Sequence, residues 1–162
     1  TFYTPPMSER MIYILSGPIQ TGRTTSLVKW SAGRSDVFGI LTPVINGKRF
    51  FMDAHSGKQF EMEAKDVELE VVSIGRFKFS RKAFEEASQI LDHSISKGWL
   101  VIDEIGPVEL NKQGFYEVLN KVLKNHSSHL LLVVREGLVE KVIELFELNR
   151  YEVISKDQLA RL

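Results

Sequence analysis

Gly17-Pro18-Ile19-Gln20-Thr21-Gly22-Arg23-Thr24 lies between an apolar run, Met11–Ser16 (MIYILS), and a segment with helical spacing, Thr24–Ala32, that Gly33 is placed to stop. The apolar run reads as a buried strand, so the octet is a strand-to-helix loop. Its spacing is that of G-x-x-x-x-G-K-[ST], with arginine where lysine is expected. The first amides of a helix lack intrahelical partners and carry the positive end of its dipole, so such a loop holds phosphate. Gly17 and Gly22 let the backbone approach an anion closely, and Pro18, Ile19, Gln20, Thr21 and Thr25 complete the cradle. Arg23 would neutralise the outer phosphates, and the Thr24 hydroxyl would ligate Mg²⁺. A guanidinium is larger than an ammonium and prefers to fork two oxygens. Arg23 therefore keeps the charge but alters how a γ-phosphoryl group is placed.

Outward from this loop, Val37–Thr42 reads as a second strand. Asn46-Gly47, between Leu41–Ile45 and Arg49–Met52, is a hairpin signal, and Ser56-Gly57 before Gln59–Met62 is a weaker one. Val67–Ile74 is again strand-like, so Val37–Phe79 is expected to form an antiparallel β-meander inserted in the fold. Ser80 then fits the N-cap of a helix carrying Ala83, Phe84, Ala87, Ile90, Leu91 and Ile95, which Gly98 ends. Trp99–Ile102 and Leu130–Val134 are apolar strands, and Tyr151–Ile154 is a last short one. Phe115, Val118, Leu119, Val122 and Leu123 mark one amphipathic helix. Leu138, Val139, Val142, Ile143, Leu145 and Phe146 mark another. Strands alternating with helices predict a three-layer α/β fold, with a mostly parallel sheet covered on both faces. Residues 11–162 read as one domain, and 1–10 as a leading segment expected to be flexible.

A second motif follows the apolar strand: Trp99-Leu100-Val101-Ile102 runs directly into Asp103-Glu104. Carboxylates at the C-terminal end of a strand face the crevice where α/β sheets bind ligands. Here they suit a Walker B element paired with the Walker A loop. Asp103 would hold Mg²⁺ through water, and Glu104 would take a proton from the attacking water. The adjacent glutamate also fits an architecture with an additional strand between the two motif strands, for which the meander offers candidates.

Composition narrows the function classes. The 162 residues are 43% hydrophobic and 26% charged, as in ordinary globular proteins. Absence of cysteine excludes disulfide scaffolds, thiolate metal sites and cysteine nucleophiles. Twenty-one basic residues balance twenty-one acidic ones, a poor footprint for nucleic acid. No apolar run approaches the ~20 residues that span a bilayer. Thr1–Arg10 lacks the apolar core of a secretory signal, so a cytoplasmic location is expected.

With both motifs in view, the chain resembles the nucleoside-triphosphatase family known from thermophiles and also described as a cancer-related NTPase. Val101-Ile102-Asp103-Glu104-Ile105-Gly106-Pro107-Val108-Glu109-Leu110 looks like its DEIG-x-x-EL signature. Gly39-Ile40-Leu41-Thr42 looks like its G-F-x-T strand, and Gly47-Lys48-Arg49 with Asp53 and Ser56-Gly57 looks like its hairpins. Ile74-Gly75-Arg76-Phe77 looks like its VG-x-Y element. The resemblance runs from about Met11 to Leu148. It implies Mg²⁺-dependent hydrolysis of ATP, GTP and other NTPs with loose base choice. Gly17, Gly22 and Thr24 match the family's loop, and Asp103 and Glu104 match its acidic pair. Arg23 departs from the family's lysine, Gln20 stands where a glycine-containing turn is usual, and Pro43-Val44-Ile45 replaces a stretch that tends to carry an acid and an arginine.

Other residues invite different readings. Arg76–Lys82 interleaves basic and aromatic residues as single-strand RNA binders do, but zero net charge favours a strand with Phe77 and Phe79 on the core face. Arg76, Arg49, Arg135 and Arg150 are candidate arginine fingers. His126 and His129 have too few neighbouring donors for a metal and read as a solvated loop. Phe50-Phe51, Trp30 and Trp99 read as packing. The leading expectation is therefore a nucleoside-triphosphate phosphohydrolase acting with Mg²⁺, through Glu104 and Arg23 as catalytic residues and Thr24 and Asp103 as metal ligands. The alternatives are a degenerate nucleotide-binding module, disabled by Arg23, and last a P-loop kinase, for which no acceptor lid with clustered arginines is visible.

Overall fold

The computed structural model describes residues 10–18, 22–64, 71–74 and 77–162. The Val67–Glu70 stretch of the expected strand, Gly75-Arg76, and Ile19, Gln20 and Thr21 of the loop lie outside the described residues. The chain order is β1 (Ile12–Leu15), α1 (Arg23–Ser31), β2 (Val37–Leu41), β3 (Val44–Ile45), β4 (Lys48–Asp53), β5 (Gln59–Glu61), β6 (Val71–Ile74) and β7 (Phe77–Ser80). It continues with α2 (Arg81–His93), β8 (Trp99–Ile105), α3 (Pro107–Leu110), α4 (Tyr116–Asn125), β9 (Leu130–Val134), α5 (Val139–Leu145), β10 (Tyr151–Ile154) and a 3₁₀ helix (Lys156–Arg161).

Among the described residues the main sheet runs β10-β1-β9-β8-β2-β4-β3, with β5 on β4. β10, β1, β9, β8 and β2 are mutually parallel. β4 turns the direction, pairing antiparallel with β2, β3 and β5. β9 explains why its sequence shows no alternation: Leu130, Leu131, Leu132, Val133 and Val134 are all buried because both faces are covered. Period-2 geometry sends Leu130, Leu132, Val134, Leu100 and Ile102 into the core beneath α2, α4 and α5. Leu131, Val133 and Val101 go to the opposite core, with Leu27 of α1 and Leu159 of the 3₁₀ helix. Three layers result, as the alternation of strands and helices predicts.

The antiparallel meander forms as expected: β3, β4 and β5 extend the main sheet, the chain just after β5 runs antiparallel beside β7 through a bridge between Glu63 and Phe79, and β7 pairs with β6. One expectation needs correction: no meander strand comes between the two motif strands. That place belongs to β9, which pairs with β1 on one side and β8 on the other. A strand late in the sequence reaches the middle of the sheet because the connection through α4 is long enough for a parallel crossover.

Candidate functional site

The carboxyl ends of β1, β9, β8 and β2 lie side by side, and the sequence motifs meet there. β1 leads into Gly17 and Pro18, and α1 begins after Gly22. Gly22 holds a left-handed conformation (φ 81°, ψ 26°) that turns the loop into the helix. No side chain caps α1, and its first turn contains no acidic residue, so its leading amides suit an anion. Thr25, in that turn, is exposed.

Across the cleft, Asp103 is 2% exposed. The Thr24 hydroxyl donates to its Oδ2 at 2.9 Å, and the backbone N–H of Thr42 donates to the same oxygen at 3.2 Å. Burial pushes the Asp103 carboxyl above the usual carboxylate range, and the neighbouring Glu104 adds to this, while the Thr24 and Thr42 hydrogen bonds oppose it. Glu104 is the extra residue where the β8–β9 register shifts: Asp103 faces Val133 and Ile105 faces Val134. A bulge of this kind re-aims a side chain, here toward the mouth of the cleft.

The Arg23 guanidinium donates to Glu104 Oε2 at 3.1 Å and to the carbonyl of Val134 at 3.0 Å. Arg135 lies 3.6 Å from Glu104 Oε1. The structure thus unites Thr24 with Asp103 and Arg23 with Glu104, across 79 and 81 residues of sequence respectively. Thr24 and Asp103 present hard oxygens side by side, the donor type that Mg²⁺ takes when phosphates and water supply the rest.

Of the candidate fingers, Arg49 and Arg135 line a cavity beside Asp103 and Glu104. Arg150 precedes β10, at the opposite end of the parallel strands, and is remote from the site. Arg76 lies outside the described residues. Phe51 is fully buried and packs on Phe60, Phe84 and Phe115, and Phe79 is buried too, as packing residues should be. Trp30 and Trp99 meet edge to face at 5.4 Å.

The solvated-loop reading of His126 and His129 is overturned, because His126 is 0% exposed. Its Nδ1 accepts the Ser96 N–H at 2.8 Å, and His129 Nδ1 accepts the Met11 N–H at 3.0 Å. Burial pulls the His126 ring down to about 4. Both rings are structural joints between chain segments distant in sequence. Among the described residues no group of three or more His, Cys, Asp or Glu could hold a metal by itself.

Glu109 carries no role in the sequence reading beyond its place in the signature. It is buried, and its two oxygens accept the N–H groups of Gly106 at 2.9 Å and Phe115 at 3.0 Å, stapling the turn beneath the site. Burial pushes its carboxyl up to about 7, against the pull of those hydrogen bonds. The signal available was an acid three residues after Gly106 at the head of a short helix.

Known structures share the architecture. The chain is similar to a human cancer-related nucleoside triphosphatase, with a TM-score of 0.69 and 22% identity over 94% of each chain. It is similar to THEP1 from the hyperthermophile Aquifex aeolicus, with a TM-score of 0.66 and 18% identity over 90% of this chain and 88% of that one. No curated protein matches the sequence significantly. The fold is accordingly the expected P-loop NTPase fold, a mostly parallel sheet between helical layers. Among the described residues no helix is long and apolar enough to cross a membrane. The family model for NTPases covers residues 12–159, from the first strand to the 3₁₀ helix, and this chain belongs to the NTPase family.

Proposed function

We propose that the chain hydrolyses nucleoside triphosphates, ATP and GTP among them, to the diphosphate and phosphate with Mg²⁺, broadly across bases and in the cytoplasm. The observation that carries this reading is the 2.9 Å contact between Thr24 at the head of α1 and Asp103 at the end of β8, with Glu104 next in the chain. The amides opening α1 and the guanidinium of Arg23 bind the triphosphate. Thr24 and Asp103 would hold Mg²⁺. When bound, the ion would offset negative charge on the phosphate oxygens. Glu104 orients the attacking water and accepts its proton. Arg23 and Arg135 hold Glu104 in the nucleotide-free protein. An incoming γ-phosphate competes for the Arg23 fork, so binding substrate also releases the base.

The test is a Mg²⁺ titration of phosphate release by the parent and by Asp103→Asn. The variant should need about tenfold more Mg²⁺ or worse for half its maximal rate. An unchanged titration would remove Asp103 from the metal site.

A further inference from the structure

Arg23 turns toward β8 and β9, where Glu104 and the Val134 carbonyl engage its guanidinium. A second cation reaches the loop from the other side. β10 pairs parallel with β1 on the edge away from β9, so its carboxyl end lies beside the start of the loop. The Ser16 N–H donates to the Ile154 carbonyl at 3.2 Å and ties the two strand ends together. The chain then enters the 3₁₀ helix, whose start is fixed by the Ser155 N–H donating to Gln158 Oε1 at 2.9 Å. Leu159 on that helix packs into the same core as Leu27 of α1. Lys156, the first residue of the 3₁₀ helix, is half-buried. Its Nζ would stand 3.8 Å from a Cβ built on Gly22, the residue that turns the loop into α1. The strand order β10-β1-β9-β8 therefore sets Lys156 and Glu104 on opposite sides of the loop.

A triphosphate whose γ-phosphoryl group faces Glu104 extends away from β8 along the head of α1, toward β10. The Arg23 fork is drawn to the Glu104 side and leaves the charge of the other two phosphates unanswered. An ammonium is a compact point charge on a flexible stem, so it meets phosphate oxygens without the planar match that a guanidinium prefers. We propose that Lys156 binds the α- and β-phosphates of the nucleotide, supplying from the end of β10 the lysine that the loop lacks at position 23. The assignment deepens the nucleotide reading and rests on it. The contact is the same in the bound substrate and in the transition state, because neither phosphate is the one transferred, so it sets KM rather than kcat.

The binding arm titrates the chain with ADP and with inorganic pyrophosphate by calorimetry in the absence of Mg²⁺, so it stands whether or not the protein hydrolyses NTP. Lys156→Gln should weaken both ligands about tenfold or more, through the loss of a charge-assisted hydrogen bond. Lys156→Arg keeps the charge and should keep most of the affinity. Lys29→Gln removes the same charge from the last turn of α1 and should leave both affinities within about twofold of the parent's. Unchanged ADP affinity in Lys156→Gln, or an equal loss in Lys29→Gln, overturns the proposal. Weakened ADP with unchanged pyrophosphate would put Lys156 on the nucleoside and overturn the phosphate assignment. In the second arm, Lys156→Gln should raise KM for Mg-ATP about tenfold with kcat within about twofold of the parent's. A fall in kcat at unchanged KM overturns the binding role. No turnover by the parent, with the ADP difference intact, would sink the hydrolase reading and leave Lys156 assigned.

Discussion

Arg23 and Glu104 form an ion pair at the cleft, 3.1 Å apart. A lysine at position 23 has a single compact cation and cannot engage Glu104 and the Val134 carbonyl with a fork as Arg23 does. Releasing a partly exposed ion pair is worth up to about 1 kcal/mol, or roughly fivefold in rate. Arg23→Lys should therefore raise kcat severalfold, read as steady-state phosphate release, and a fall in kcat would show that the arginine fork is itself needed. Two buried groups give stability opposite dependences on pH. Glu109 is raised from 4.5 to about 7, so the stability it contributes is present below pH 4.5 and is lost as pH rises to about 7. His126 is lowered from 6.5 to about 4, so its contribution is present above pH 6.5 and is lost as pH falls to about 4. Glu109→Gln removes only the first effect. Between pH 4.5 and 7, urea unfolding of that variant should gain roughly 3 kcal/mol relative to the parent's change. Parallel pH profiles for the two proteins would contradict the buried-acid account.

At the scale of elements, two positions show how local chemistry sets packing. Ser80 Oγ accepts the Ala83 N–H at 3.1 Å and caps α2. Ser80→Ala should cost about 1 kcal/mol in urea unfolding. Gly39 in β2 has φ 120°, and a Cβ there would stand 2.1 Å from the Val101 carbonyl oxygen of β8. Gly39→Ala must push neighbouring core strands apart, so it should cost on the order of 3 kcal/mol or more, and a stability close to the parent's would contradict the close approach. The elements legible in the sequence are those that leave a local mark: an unbroken apolar run, a short β-branched run after a turn, or a capping hydroxyl. Leu130–Val134 and Tyr151–Ile154 coincide with β9 and β10, and Ser80 marks the start of α2. Pro107–Leu110 forms a helix of four residues, too short for any periodicity to register. The burial of His126 depends on Ser96, thirty residues away, a contact no local pattern announces. Likewise the motif spacing identified Arg23 and Glu104 separately, while their bond depends on β9 lying between β1 and β8.

Over the whole molecule, one edge of a mostly parallel sheet gathers chemistry from two faces. The α1 face supplies the helix amides and Thr24, and the α2 face supplies an aromatic cavity, with Asp103 and Glu104 between them. That placement follows from the strand order, because β8 ends where both faces open. Under the proposed function, nucleotide binding would draw on the α1 face and turnover on the Glu104 carboxylate. The measurement that tests this most directly is phosphate release from Mg-ATP and Mg-GTP by the parent chain and by Glu104→Gln, with nucleotide binding measured on the same samples. Release by the parent should exceed that by the variant about a hundredfold or more, with both proteins binding nucleotide. Equal release by parent and variant, with nucleotide bound to both, would contradict the proposed function.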